Sequence, residues 1–494
     1  MKNLKALILL FSVSVLSFSC FEDNDDVPIA TSEINDFVWK GMNLFYLYKD
    51  NVPDLANDRF SSNSQYANYL EGFNSPESLF ESLIYQRLTI DQFSWITPDY
   101  FANEDLLNGR GLTNGMQYTF ISRSTTDPTR YGIILYVLPD SDADDKGLKR
   151  GDIFYAVNGT ELYYNSLADN NYSLLNDTNY SIDLGTYNTN GTSDTADDSV
   201  TPLGTTVTLT KEELTENPIH VSKVLNVGGK SIGYLMYNGF NGSSAELNNV
   251  FATFKSAGVT DLVVDLRYNP GGFTSKAILL TSLITGQFTG EVLNIDQFNS
   301  ELQAEFEASN PEFLEDRFID NENGLSLNSL NLSKVYFLTT RWSASASEFT
   351  INSLTPYIDV VQIGSNTRGK YQGSWTLYDS PNFLKEGANP NHTYALQPLI
   401  FKYSNIQGNT DFIDGLPPDT MLNETRLNLG ILGDENEPLL AEAISQITSS
   451  GKQISNKSEN IEAHIPFEIL QSANGKLIDD REIPLDIIQP IFSK

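Results

Sequence analysis

The chain has 494 residues, 40% apolar and 11% aromatic, enough to fill large cores and too many for one ordinary domain. At about 150 residues per domain, about three domains are expected. Its 64 acidic residues against 31 basic ones leave a formal charge of -33. Such a surface repels phosphate backbones and argues against nucleic-acid binding.

The first twenty residues, MKNLKALILLFSVSVLSFSC, set Lys2 and Lys5 before an apolar run that closes on Cys20. This is the pattern of a secretory signal peptide, too short for a comfortable membrane span. Cys20 is the only cysteine, so no disulfide framework is expected. A lone cysteine at that place resembles a bacterial lipoprotein signal, and the acidic FEDNDD after it resembles the export tag of surface lipoproteins in the Bacteroidota. The resemblance implies lipidation at Cys20. It also implies a cell-envelope protein anchored in the outer membrane, on its periplasmic or its outer face.

Residues 21–105 read as an acidic linker and a helical domain. INDFVWKGMNLFYLYKD places Ile34, Phe37, Val38, Met42, Phe45 and Leu47 near one broad face, and Ser75-Pro76-Glu77 is a helix start with proline at the first position. Residues 106–215 change to strands: YGIILYVLP and TTVTLTKEE. Between them DADDKGLKRGDIFYAVNGTEL gives a short helix ending at Gly147, a turn at Gly151-Asp152, and a strand. Its GL-x-x-GD-I-x-x-x-NG run resembles a PDZ domain. That implies capture of an extended peptide, usually a free C-terminus, as an added strand. The polar segment LGTYNTNGTSDTADDSVTPLG reads as an exposed hairpin or loop.

From 216 to 446 apolar strands (SIGYLMYNGF, TDLVVDLRYNPGG, KVYFLTT, DVVQIGS) alternate with helical segments (SSAELNNVFATFKSAG, FTSKAILLTSLITG, ASEFTINSLTPY). This is an α/β pattern with a largely parallel sheet, so the expected fold class is multidomain α/β, α+β overall. Residues 447–494 follow no pattern that assigns them a place.

Three loops follow three of these strands: YNPGG, RWSASAS and SNTRGKYQG. In a parallel sheet they share the edge where ligand sites form, so Gly271, Gly272, the serine cluster and Lys370 are candidates for one cleft. A serine hydroxyl needs a neighbouring base. The histidines at 220, 392 and 464 stand in no recognisable elbow or triad motif, and a Ser-His esterase would need His220 or His392 in the cleft. A lysine can serve when burial keeps it neutral; an exposed one is neutral in fewer than about one molecule in a thousand at pH 7. Ser345-Ala346-Ser347-Glu348 also reads as a capping box, in which Ser345 would only satisfy amides at a helix start.

Taken together, DLRYNPGG, SASASE and the lysine of GKYQG resemble the C-terminal processing, or tail-specific, serine peptidases, which carry a Ser-Lys dyad and an embedded PDZ domain. The resemblance extends over about residues 90–445, with Lys370 at the family's spacing, 25 residues after Ser345. It implies Ser345 as nucleophile, Lys370 as base, and an oxyanion hole from the Ala346 amide with an amide at Gly271 or Gly272. Glu348 would orient the dyad or cap its helix, with Ser343 and Ser347 structural. Many relatives carry a glutamine where this chain has Ser374, and the nearest glutamine, Gln372, is a possible supporting residue. The expected substrates are unfolded or C-terminally exposed chains. The alternative is a non-catalytic surface lipoprotein that binds peptides or another ligand on the same scaffold. No metal motif is present and no cofactor is expected; the oligomeric state has no sequence signal.

Overall fold

The computed structural model describes residues 31–122, 127–192, 197–448 and 475–484. The signal peptide and Cys20 lie outside the described residues. The central sheet runs, in spatial order, Ile219–Val227, Lys230–Tyr237, Asp261–Asp265, Lys334–Thr339, Asp359–Gly364 and Thr420–Met421. All neighbours are parallel except the first pair, which is an antiparallel hairpin.

Its central strands are apolar at consecutive positions because both faces are covered. Leu262 and Val264 enter the principal core with Leu247, Phe251, Leu279 and Leu280, from helices Ser244–Ser256 and Thr274–Ile284. Val263, between them, points to the other face and packs with Leu439, Leu440 and Ala443 of helix Pro438–Thr448.

The N-terminal region is helical, as its spacing predicts. Helix Thr31–Phe45 buries Ile34, Phe37, Val38, Met42 and Phe45, and Pro76–Ser82 is capped by Ser75 with Pro76 at its first position. These side chains join the principal core of the α/β region, where Phe45 meets Trp375 edge to face at 5.8 Å.

Residues 116–210 form an antiparallel sheet with its own apolar core of Met116, Phe120, Ile134, Phe154, Ile182 and Leu209 among others. The expected short helix spans Asp142–Asp145 and is followed by Gly147 at φ +74°; Gly151 turns at φ +88°. The polar segment expected as a hairpin or loop contributes to a long hairpin of Asn179–Asn188 with Ser199–Thr210.

A second sheet has no counterpart in the sequence pattern. Its order is Gly271–Phe273, Lys476–Ile478, Gln372–Ser374, Leu399–Asn405, Val292–Phe298 and Glu315–Arg317. Lys476–Ile478, from the segment unassigned from sequence, thus runs through its interior, with Leu477 in the principal core and Ile478 buried.

The β domain docks through a buried ionic cluster. Arg150, from the Gly151-Asp152 turn, donates to the Tyr268 hydroxyl (2.6 Å) and the Leu135 carbonyl (2.7 Å), and pairs with Glu424. Glu424 also pairs with Arg267 at 2.7 Å, and Arg267 reaches Asp265 (2.8 Å) and Glu437 (2.7 Å). Burial would raise the Glu424 carboxyl, but Arg150 and Arg267 outweigh it and hold its pKa down at about 2. Asp265 and Arg267 therefore anchor the strand end. Arg267→Met leaves three buried carboxylates short of their cation, and urea unfolding of the variant is expected to show a loss of about 3–5 kcal/mol.

Candidate active site

Strand Lys334–Thr339 feeds a tight bend that opens helix Ala346–Leu354. At the apex Ser345 has φ +62° and ψ -110°, a conformation that costs a non-glycine residue of order 1–3 kcal/mol. A strand-to-helix elbow of this shape projects one hydroxyl from the end of a sheet. It persists because its neighbours are tied down. The Ser343 hydroxyl donates to the Leu266 carbonyl (2.8 Å), and the Ala344 amide and the Ser347 hydroxyl donate to the Asn269 carbonyl (3.1 and 3.0 Å). Ser343 and Ser347 are held in these bonds, and the Ser345 Oγ is buried with no hydrogen-bond partner among the described residues.

The second loop is built for close approach. A Cβ on Gly271 would stand 2.1 Å from the Lys476 carbonyl oxygen and 2.9 Å from the Ser345 Cβ; one on Gly272 would stand 2.3 Å from the Phe240 carbonyl oxygen. Both glycines have positive φ, +106° and +148°. Gly271 corrects the sequence expectation in one respect. Its amide already donates to Asn269 Oδ1 at 2.8 Å, so it is not a free oxyanion donor. The Ala346 amide nitrogen lies beside it, 3.0 Å from where the Gly271 Cβ would be.

Lys370 comes from the third loop and is fully buried. Glu348 holds that loop against the elbow. Its carboxylate accepts from the amides of Ser345 (2.7 Å), Gly369 (2.6 Å) and Lys370 (2.9 Å) and from the Thr367 hydroxyl (2.5 Å). It therefore caps the helix start and holds the lysine loop, through main-chain amides and Thr367 and not through the lysine amine. Burial pushes the Glu348 pKa up to about 7 against the pull of those donors.

Burial likewise takes the Lys370 pKa down to about 7, with Asp91 and Glu348 pulling the other way. The amine lies 5.4 Å from the Phe93 ring centroid and donates to the Gly475 carbonyl at 2.6 Å. The three loops therefore meet at one edge, as the topology required.

Residues 231–421 match the model of peptidase family S41, and residues 33–95 match that of the S41 N-terminal domain, together just over half of the chain. The chain belongs to peptidase family S41. Among curated proteins, this S41 chain is 27% identical over 215 residues to a CtpA-like serine protease of Staphylococcus epidermidis, covering 40% of each. It is 23% identical over 266 residues to the chloroplastic C-terminal processing peptidase of Tetradesmus obliquus, covering 52% of this chain and 50% of that one. The matches thus span about half or less of those relatives' length. A Bacteroides fragilis chain assigned to the S41 proteases shares the fold, with a TM-score of 0.63 and 24% identity over 85% of this chain and 98% of that one.

The S41 chain places the remaining candidates elsewhere. The Gln372 amide donates not to Ser345 or Lys370 but to the Tyr48 hydroxyl at 2.9 Å, tying the second sheet to the N-terminal region. Ser374 donates to the Leu477 carbonyl at 3.4 Å. His392 pairs with Asp379 at 2.8 Å and His220 packs on Tyr136, neither bonded to Ser345; His464 lies outside the described residues. Sequence reasoning missed Asp91, Phe93 and Gly475, which surround the amine. TIDQFSWIT reads as the end of the helical region, and the residues around Gly475 carry no motif.

The strain at the elbow is measurable. Ser345→Gly keeps the bend without the Cβ penalty and Ser345→Ala keeps the penalty, so the glycine variant is expected to be the more stable by about 1 kcal/mol in urea unfolding.

Proposed function

We propose that this protein is a serine endopeptidase that cuts unstructured chains, with Ser345 as nucleophile and Lys370 as general base. The observation that carries the reading is a strained serine elbow packed beside a lysine whose burial brings its pKa to about 7. Near pH 7 such an amine is neutral in about half of the molecules and can take a proton. Ser345 Oγ attacks the scissile carbonyl carbon and its proton passes to Lys370 Nζ. The resulting oxyanion faces the Ala346 amide at the positive end of its helix. As the C–N bond breaks, Lys370 returns the proton to the leaving amine. Water then hydrolyses the acyl-serine by the same route.

The β domain, with its PDZ-like turn, captures the free C-terminal end of the substrate as an added strand. Cys20 carries the lipid that anchors the protein in the outer membrane. Cys20→Ser is expected to move the protein from the membrane to the soluble envelope fraction.

A specific observation favours a second reading, a peptide-binding protein without turnover. Ser345 Oγ has no partner among the described residues, and the Lys370 amine bonds to Gly475 instead. Cleavage of an unfolded protein with an apolar C-terminus separates the two. The peptidase reading expects cleavage by the wild type and losses of about a thousandfold or more in Ser345→Ala and Lys370→Ala. It also expects the rate to rise with pH through about 7 as the amine loses its proton. Substrate that binds and is never cut, at any pH from about 6 to 10, would identify a binding protein.

A further inference from the structure

The Lys370 amine donates to one acceptor among the described residues, and that acceptor lies more than a hundred residues further along the chain: the main-chain carbonyl of Gly475, at 2.6 Å. Gly475 opens a short segment that cannot shift freely. The Lys476 amide donates to the Pro270 carbonyl (2.7 Å) and the Asp479 amide to the Ser374 carbonyl (3.1 Å). Between those bonds Lys476–Ile478 pairs in parallel with Gly271–Phe273, and Ile478 pairs with Ser374. Asp479 accepts from the Trp375 indole at 3.0 Å. Arg481 closes the segment by bridging Asp479 (2.9 Å), Asp296 (2.6 Å) and Asp316 (3.3 Å), and the last two pair with no other cation among the described residues. A strand held on both edges and locked by an ion cluster fixes the carbonyl at its start.

The lack of a side chain at 475 matters equally. A Cβ there would stand 2.8 Å from the Ala344 Cβ, 3.1 Å from Lys370 Cδ and 3.3 Å from the Ser345 Cβ. It would enter the space between the amine and the elbow. A base works when a third group orients it toward the nucleophile. Gln372 and Glu348 do not perform that service for Nζ: the first bonds to Tyr48 and the second to main-chain amides and Thr367.

We propose that Gly475 is a positioning residue for Lys370, its carbonyl holding the amine and its missing side chain leaving the path to Ser345 open. The proposal rests on the peptidase reading for its effect on rate, and on geometry alone for its effect on the amine. The charged groups facing the amine are Asp91 on the N-terminal loop, Glu348 on the elbow helix and Lys476 on the tail. None of them is altered by a change at 475.

The test is Gly475→Ala in the full chain, checked for folding by thermal melting. Peptide cleavage is followed across pH, and the Lys370 titration is followed separately by 13C NMR of ε-labelled lysine, with Lys370→Ala assigning the signal. The expected result is a fall in kcat of about tenfold or more with KM changed less than about twofold, as for a displaced catalytic group. The acid limb and the NMR midpoint should both move to lower pH, because an acceptor that favours the charged amine has been weakened. A folded variant with wild-type kcat and midpoints overturns the proposal. So does a rise in kcat, which would make the tail a blocker, or a midpoint that rises toward that of an ordinary lysine, which would make Gly475 a seal against water. If the variant does not fold, Leu477→Ala loosens the same strand without adding an atom near the amine, and the same readings decide. A wild type that cuts nothing sinks the peptidase reading, while the NMR midpoints still decide whether Gly475 holds the amine.

Discussion

One buried carboxylate holds the site together. Glu348 is completely enclosed, and a carboxylate in that position is tolerable only when donors surround it. Four do, and they come from the two loops that matter: the Ser345 amide from the elbow, and the Gly369 and Lys370 amides with the Thr367 hydroxyl from the lysine loop. Each is a hydrogen bond to a charged acceptor, stronger than its neutral counterpart. Together they offset part of the desolvation of the carboxylate and hold the strained backbone at Ser345 in place. The Ser345 bend and the Lys370 loop are thereby joined through main-chain atoms rather than through the flexible lysine stem.

Around that centre the protein builds its dry pocket from parts distant in the chain. Asp91 accepts from the Tyr46 hydroxyl (2.7 Å), the Ser94 hydroxyl (2.6 Å) and the Phe93 and Ser94 amides, which fixes the Phe93 ring over the amine. Arg368, the neighbour of the lysine loop glycine, reaches Gln92 and lies over the same ring. The N-terminal helices are therefore a wall of the site as well as a part of the core. The β domain is tied in behind the glycine loop, its Arg150 sharing Glu424 with Arg267, two residues before Asn269.

The central sheet was legible in sequence because its strands are buried on both faces, so LVVDL and KVYFL stand out as apolar runs between amphipathic helices. The cleft was legible for a topological reason: parallel strands put their following loops on one edge, and Ser345 and Lys370 follow two of them. The second sheet was not, since Gly271–Phe273, Gln372–Ser374 and Lys476–Ile478 are three residues each, too short to show a period. Nor could SASASE reveal its own geometry. S-x-x-E predicts an ordinary helix cap, yet Ser345 takes a positive φ while Glu348 reaches across to a second loop. Gln372 misled because proximity in sequence to Lys370 is not proximity in space: it sits on a strand and bonds to Tyr48. Gly475 was invisible because its role lies in a carbonyl that every residue possesses and a side chain that it lacks.

The order in which the chain is made has a bearing on this pocket. Lys370 and Ser345 leave the ribosome, and then cross the membrane if exported N-terminus first, well before residue 475. Until that segment threads between its two neighbouring strands, the amine lacks its carbonyl and its cover, and water keeps it protonated like any surface lysine. A nascent molecule is in this sense chemically silent. On the proposed reading of Lys370 as the base, the amine matures only once residue 475 has been delivered and folded, which would spare the partly made chain and its unfolded neighbours from a premature cut.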